Sequence, residues 1–171
     1  IANTIMNEEE MAKIESQKRH FSEPMLFTIG YEGISLETYI NKLIIEDVHV
    51  LCDVRKNAYS QKYGFSKSQL EKACNGVGIK YIHIPDLGIE SNKRQMLRSQ
   101  ADYNILFAEY ERKVLAFQNE NIESIRQLIL TDKRVALTCF EKDPKQCHRT
   151  RVANALMKIA NNEYSFNQIV F

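Results

Sequence analysis

Residues 136 to 156 read ALTCFEKDPKQCHRTRVANAL. Two thiols, an imidazole, two carboxylates and two guanidinium groups gather in this stretch, where a strand is predicted to give way to a helix. Thiols, imidazoles and carboxylates can act as nucleophiles or proton carriers, and guanidinium groups bind anions. The stretch is therefore the first candidate for a functional site, with Glu141, Cys139 and His148 as candidate catalytic residues.

Cys139 is the thiol best placed for nucleophilic chemistry. It ends the predicted strand and faces the start of the next helix, as the nucleophiles of rhodaneses and tyrosine phosphatases do, where amide donors and the helix dipole lower the thiol pKa. Here the turn contains Glu141 and Asp143 and no glycine. Negative charge beside the sulfur is expected to raise the pKa of Cys139. A nucleophilic thiol and an unreactive thiol both stay open.

His148 and Cys147 permit two further interpretations. Together with Cys139 they are soft ligands of the kind that binds zinc. The gap between the cysteines is unlike a zinc-finger knuckle, and neighbouring residues of one helix point about 100° apart, so we predict no metal and no cofactor. His148 also continues the apolar stripe of Val152, Ala155 and Ile159, which favours a half-buried histidine bonded to a backbone carbonyl over a catalytic base.

The rest of the chain predicts the elements that position these residues. Short apolar runs alternate with stretches of helical periodicity. The runs that predict strands are residues 26–29, 48–54, 80–84, 134–139 and 165–171. We expect helices after Ser35, around Leu70, two or three within residues 93–130, and one that begins at Asp143 and Pro144. This alternation predicts an α/β fold with a mostly parallel sheet flanked by helices on both faces, its strand order Rossmann-like, flavodoxin-like or otherwise.

Four polar segments follow predicted parallel strands, so they should meet at one carboxyl edge of the sheet. The candidate binding residues at this edge are Gly30, Tyr31, Arg55, Ser60 and Arg149. Arg55 can bind a carboxylate or phosphate through two parallel hydrogen bonds. The alternative is a structural ion pair with Asp53 or Glu141. The edge is interpreted as an anion-binding cleft.

The same segments resemble the signatures of the DUF488 family. These are FTIGY at residues 27–31, CDVR at 52–55, GIKYIHIPDLG at 78–88 and CFEKDPKQCHR at 139–149. The similarity runs from about residue 26 to the C-terminus, although many relatives have a Gly-His-Ser-like turn where this chain has Gly30, Tyr31 and Glu32. The resemblance implies one α/β domain, at residues 25–171, and no established reaction. Residues 1–24 are mostly polar and are interpreted as an appended extension.

Composition limits the classes of function. The 171 residues are 44% hydrophobic with a net charge of +1, which suits one domain and gives no global argument for nucleic-acid binding. We find no signal peptide and no membrane-length apolar run, and four unevenly spaced cysteines predict reduced thiols in the cytoplasm. Two functions stay open: an enzyme on a small anionic or nucleotide-like substrate, and a non-catalytic module that binds a nucleotide, nucleic acid or protein. The sequence does not predict the oligomeric state.

Overall fold

A computed structural model describes residues 22–171 and confirms the α/β fold. Its sheet has five parallel strands in the order β3-β2-β4-β1-β5 within these residues. The strands are β1 (Met25–Gly30), β2 (Val50–Asp53), β3 (Lys80–His83), β4 (Arg134–Cys139) and β5 (Ser165–Gln168). This order is neither the Rossmann nor the flavodoxin order. The extension predicted at residues 1–24 lies, except for its last three residues, outside the described part of the chain.

Five α-helices connect the strands within residues 22–171. They are α1 (Leu36–Ile45), α2 (Lys67–Asn75), α3 (Gln100–Lys113), α4 (Asn119–Asp132) and α5 (Arg149–Lys158). Short 3-10 turns occur at Pro85–Leu87, Ser91–Arg94, Leu115–Phe117 and Pro144–Gln146. Ser35 caps α1 by accepting a hydrogen bond from the Thr38 amide at 3.1 Å, as its sequence position predicts. None of these helices is long and apolar enough to cross a bilayer.

The prediction that a helix begins at Asp143 and Pro144 is wrong about where the helix starts. The Asp143 side chain accepts a hydrogen bond from the Lys145 amide at 2.8 Å, but the turn that it caps is a 3-10 turn. Cys147 then has an extended backbone, with φ −127° and ψ 135°, and α5 begins only at Arg149. The Asp-Pro signal therefore starts a short turn, and Cys147 lies between two elements instead of on the helix.

The helices cover the sheet on both faces. Successive residues of β1, β2 and β4 alternate between two apolar cores, as strand geometry requires. Buried residues of α1 and α2 share one core, and those of α3, α4 and α5 share the other. The connection after β4 therefore leaves toward one face, while those after its neighbours β1 and β2 leave toward the other. Such a switch point opens a crevice at the carboxyl end of β4, where ligands bind in open α/β sheets.

Candidate functional site

A cleft of about 510 Å³ lies at the carboxyl ends of the strands. Loops that follow β1, β2, β3 and β4 all contribute to it. Its lining includes Tyr31, Arg55, Ser60, Cys139, Glu141 and His148, which the sequence predicted, and Arg94, which it did not. The structure therefore brings most of the candidate residues to one edge of the sheet.

Cys139 and His148 form a close pair at the wall of this cleft. The Cys139 Sγ lies 3.7 Å from His148 Nδ1. On the other side of the ring, His148 Nε2 lies 2.7 Å from the backbone carbonyl oxygen of Val54. A carbonyl oxygen can only accept, so Nε2 carries a hydrogen, and Nδ1 is the ring nitrogen that faces the sulfur. On the sequence alone, a bond to a backbone carbonyl and a role as catalytic base are alternatives for His148. The ring has the carbonyl partner at Nε2 and also approaches the sulfur with Nδ1.

Arg94 connects this pair to Glu141. Its Nη2 lies 2.6 Å from His148 Nδ1, and its Nη1 donates to Glu141 Oε1 in a salt bridge. The second carboxylate oxygen, Oε2, accepts from the Cys139 thiol at 3.3 Å. The thiol, imidazole, carboxylate and guanidinium therefore form one connected cluster, hereafter the Cys139 cluster. In this cluster the Cys139 sulfur has side chains as its hydrogen-bond partners. In rhodaneses and phosphatases the partners are backbone amides of the loop.

The surroundings shift the pKa values of the Cys139 and Cys147 thiols in opposite directions. Burial alone raises the pKa of Cys139, but the hydrogen bond from Cys147 and the positive charges at His148 and Arg94 outweigh it and hold the pKa of Cys139 well below its usual value. Burial and the neighbouring Cys139 raise the pKa of Cys147 well above the usual value. Burial also raises the pKa of Glu141, against the charge of Arg94. The increase expected from the sequence is therefore reversed, because Cys147, His148 and Arg94 together outweigh burial in setting the pKa of Cys139.

Cys139, Cys147 and His148 also bring three potential metal-ligand atoms within 4.8 Å of one another, all buried. The helical argument for divergent side chains therefore fails, because the extended backbone of Cys147 turns its thiol back toward the cluster. Arg94 opposes a cation here, since its guanidinium donates to the nitrogen that would bind the metal. The absence of a metal stays a prediction.

Arg55 is held in a buried network. Its Nε donates to Asp53 Oδ1 at 2.8 Å and its Nη2 to Oδ2 at 2.5 Å. Its Nη1 donates to the Tyr31 hydroxyl at 2.7 Å and to the Phe65 carbonyl at 2.9 Å. Tyr81 adds a hydroxyl donor to Asp53 at 2.6 Å. The structural ion pair therefore describes the geometry of Arg55, which has few free hydrogens for a ligand.

Tyr31 and Ser60 shape the wall of the cleft beside Arg55. The Tyr31 ring stacks on Phe65 with the ring centroids 4.2 Å apart, and it meets Phe140 edge-on. Burial raises the pKa of Tyr31, partly offset by Arg55 and Ser60, so the phenol stays protonated at neutral pH. The Ser60 hydroxyl accepts a hydrogen bond from the Lys62 amide at 3.2 Å. Both residues line the cleft, and both also have partners that fix the local fold.

Gly30 and Arg149 support the loop after β4 from behind. A side-chain carbon on Gly30 would lie 2.0 Å from the Glu141 carbonyl oxygen, so only glycine allows this close approach. Arg149 donates to that same oxygen at 2.5 Å and to the Lys142 carbonyl at 3.3 Å. Arg149 is 1% exposed and is not part of the cleft lining. Arg55 lines the cleft and Arg149 does not, so the structure does not place the two arginines in a shared anion pocket.

Arg94 is the functional candidate that the sequence analysis missed. It ends the 3-10 turn Ser91–Arg94, in the segment between β3 and α3 where no strand was predicted. The available signal was topological: a polar loop that leaves the carboxyl end of a parallel strand belongs to the same edge as the other motifs. The carbonyl of Val54 was also missed, because backbone partners leave no sequence pattern.

Comparison with known proteins agrees with this picture at the level of the family. The family model described as "Domain of unknown function DUF488" matches residues 35–156, which is most of the chain. No curated protein and no solved structure matched. The matched range contains Arg55, Arg94 and the whole Cys139 cluster, and the chain belongs to the DUF488 family.

Proposed function

We propose that this chain is a thiol-dependent enzyme that acts on a small anionic or nucleotide-like substrate in the cleft, with Cys139 as its nucleophile. The observation that carries the proposal is the 3.7 Å approach of the Cys139 sulfur to His148 Nδ1, on a ring oriented through Nε2 by the Val54 carbonyl. A nucleophile beside a base that a third group orients is the common arrangement of covalent catalysis. The lowered pKa of Cys139 is consistent with this role.

The chemistry would begin with transfer of the thiol proton to His148 Nδ1, after Arg94 withdraws the hydrogen bond that it donates to this nitrogen. The sulfur would then form a bond to an electrophilic atom of the substrate, and the bond to the leaving group would break as His148 returns the proton to that group. Water or a second acceptor would next attack the electrophilic atom and release the sulfur. Glu141 is 3.3 Å from the sulfur and paired with Arg94, so it sets the local charge and is not needed as the nucleophile.

Cations at the rim supply the preference for an anion. Lys56, Lys62 and Arg94 line the cleft together with the already paired Arg55. The Lys56 ammonium lies 3.6 Å from Asp86 with both side chains exposed, a weak pairing that a ligand can replace. Glu141 is the acidic side chain among the lining residues, so the cleft is net positive. These cations add to Arg55, whose predicted anion-binding role stays a prediction, as does that of Arg149 behind the loop.

Alkylation with two reagents tests both parts of the proposal. Iodoacetamide is neutral and iodoacetate is anionic, so their rate ratio at Cys139, relative to glutathione, reports anion preference. We expect Cys139 to react first, and Lys62→Gln to slow iodoacetate while leaving iodoacetamide nearly unchanged. Cys52 and Cys74 are internal controls, because burial raises the pKa of each to about 12.

The dependence of the alkylation rate on pH tests whether the pKa of Cys139 is lowered. An ordinary thiol with pKa near 8.5 loses roughly 75-fold in reactivity between pH 8 and pH 6, whereas Cys139 should lose only a few-fold because its thiolate persists at lower pH. Mass spectrometry of the labelled peptides assigns each rate to its cysteine. An ordinary profile at Cys139, or equal labelling of Cys139 and Cys74, would contradict the proposal.

A nucleic-acid-binding module is the second candidate, and exposed aromatic side chains favour it. Tyr59 is 71% exposed and Tyr63 is 83% exposed, on the loop between β2 and α2 that also carries Lys62, and Lys67 begins α2 directly after it. Tyrosines beside lysines are the usual surface for stacked bases and phosphates. Fluorescence anisotropy with a single-stranded oligonucleotide measures this binding. Binding should weaken in Tyr59→Ala but not in Phe117→Ala, a control at a side chain that is 78% exposed. Equal anisotropy curves for all three proteins would exclude this candidate.

A further inference from the structure

We infer that Cys139 and Cys147 are a peroxide-sensitive pair, in which oxidation joins the two sulfurs in a disulfide and reversibly removes the nucleophile. The inference rests on the proposed function, because it requires a reactive Cys139. It goes beyond that function by assigning a role to Cys147, which the proposed reaction does not use.

Proximity of the two sulfurs is the first support. The ligand atoms of Cys139, Cys147 and His148 lie within 4.8 Å of one another, so the sulfurs need to approach by at most about 3 Å to reach the bonded distance near 2 Å. The other two cysteines lie on opposite faces of the sheet. Cys52 lies in the core shared with α3, α4 and α5, and Cys74 lies in the core shared with α1 and α2.

The backbone around the pair permits that approach. Cys139 is the last residue of β4, and Cys147 lies between the 3-10 turn Pro144–Gln146 and α5. Cys147 has an extended backbone, and its two backbone hydrogen bonds are long: its amide donates to the Pro144 carbonyl at 3.4 Å and its carbonyl accepts from the Thr150 amide at 3.3 Å. The bond would therefore close a short loop, residues 140–146, and would not require a strand or an α-helix to break.

Access sets the order of events. Cys139 lines the cleft, whereas Cys147 is fully buried and is not among the lining residues. A small oxidant that enters the cleft meets Cys139 first. Cys147 is then the neighbouring thiol, with its sulfur within 4.8 Å of the Cys139 sulfur, which is the arrangement of a reactive cysteine with its resolving partner.

The chemistry balances with hydrogen peroxide as oxidant. The Cys139 thiolate attacks one peroxide oxygen, the O–O bond breaks, and the released hydroxide takes up a proton to leave as water, giving a sulfenic acid. The Cys147 sulfur then attacks the Cys139 sulfur, the S–O bond breaks, and the hydroxyl leaves as a second water with the Cys147 proton. Two thiols lose two electrons in total, and the peroxide gains them. A reducing thiol reverses the change.

The test is mass spectrometry of the full chain after treatment with hydrogen peroxide. Wild-type protein should lose about 2 Da, the mass of two hydrogens, and trypsin should release linked peptides, since Lys142 and Lys145 lie between the two cysteines. Cys147→Ser should instead accumulate a sulfenic acid at Cys139 that dimedone traps, and then higher oxidation states. Cys74→Ala is the control and should form the same disulfide as wild type. Dithiothreitol should restore the reduced mass and the alkylation rate.

The failures of the two proposals are distinguishable. If reduced Cys139 alkylates rapidly but peroxide yields no link to Cys147 in wild-type protein, this inference is overturned and the proposed function stands. A disulfide that involves Cys52 or Cys74 would also overturn it. If Cys139 resists both alkylation and peroxide, the proposed function fails and the inference fails with it.

Discussion

Replacing Arg94 with methionine should raise the pH at which Cys139 becomes reactive. Arg94 Nη2 lies 2.6 Å from His148 Nδ1, which lies 3.7 Å from the sulfur, so the guanidinium is no more than about 6 Å from the thiolate. At an effective dielectric constant of about 20, one unit charge at that distance contributes about 3 kcal/mol, or roughly 2 pKa units. The Cys139 thiolate loses this stabilisation in Arg94→Met, so its pKa rises.

The measurement is the midpoint of the alkylation rate against pH, with iodoacetamide as a neutral probe. We expect the midpoint to move up by about 1–2 units in Arg94→Met, somewhat less than the Coulomb figure because solvent reaches part of the site. Arg94→Lys keeps the charge and should recover most of the shift. Glutathione, titrated alongside, corrects for the intrinsic pH dependence of the reagent.

Glu141→Gln should move the midpoint of the alkylation rate in the opposite direction. Its carboxylate oxygen lies 3.3 Å from the sulfur, so its removal ends a repulsion and should lower the midpoint. Since Arg94 and Glu141 form one ion pair, the double variant Arg94→Met, Glu141→Gln removes no net charge, and its midpoint should lie between those of the two single variants. An unchanged midpoint in Arg94→Met, or shifts of the same sign in both single variants, would refute the charge argument.

Three further outcomes follow from the supporting structure. Arg55→Met leaves a buried carboxylate unpaired and should lower the free energy of unfolding in urea by about 3–5 kcal/mol; a cost below about 1 kcal/mol would contradict the buried ion pair. Gly30→Ala should lower the melting temperature sharply because its new carbon would lie 2.0 Å from a carbonyl oxygen. The control Gly76→Ala, whose nearest such contact is 3.3 Å, should change it little. Elemental analysis should find well under about one zinc atom per chain, because Arg94 donates to the His148 nitrogen that would bind it.

The sheet was predictable because each strand has its own local signal. β4 was predicted with its correct bounds, since Arg134–Cys139 is a continuous apolar and β-branched run buried along its whole length. Elsewhere the predicted strand bounds differed by up to three residues, most at the end of β5, where the apolar residues 169–171 extend the pattern beyond Gln168. Strand order was not predictable, because it depends on which helices share a core and no local pattern records that.

The site was predictable in its location and only partly in its contacts. Placing the motifs at one carboxyl edge followed from parallel topology and is what the structure has for Cys139, Glu141 and His148. The reach of Arg94 depends on how residues 84–99 fold across the edge, and the orientation of Cys147 depends on one 3-10 turn. The first is a tertiary effect, and the second is a local choice between a 3-10 turn and an α-helix after the same Asp-Pro pair, so spacing alone could not give either.

In the loop after β4, main-chain groups anchor the loop and side chains form the reactive cluster. Its carbonyl groups point away from the cleft: that of Phe140 accepts the Tyr31 and Glu32 amides at 3.1 and 2.9 Å, and that of Glu141 accepts Arg149. The Glu141 side chain points the opposite way, toward Arg94 and Cys139. A loop anchored by its own backbone can hold a carboxylate, a thiol and an imidazole close together without relying on their mutual attraction. That explains why so many reactive groups fit in one strand-to-helix turn, and why substitutions behind the loop should reduce stability whereas substitutions facing the cleft should change reactivity.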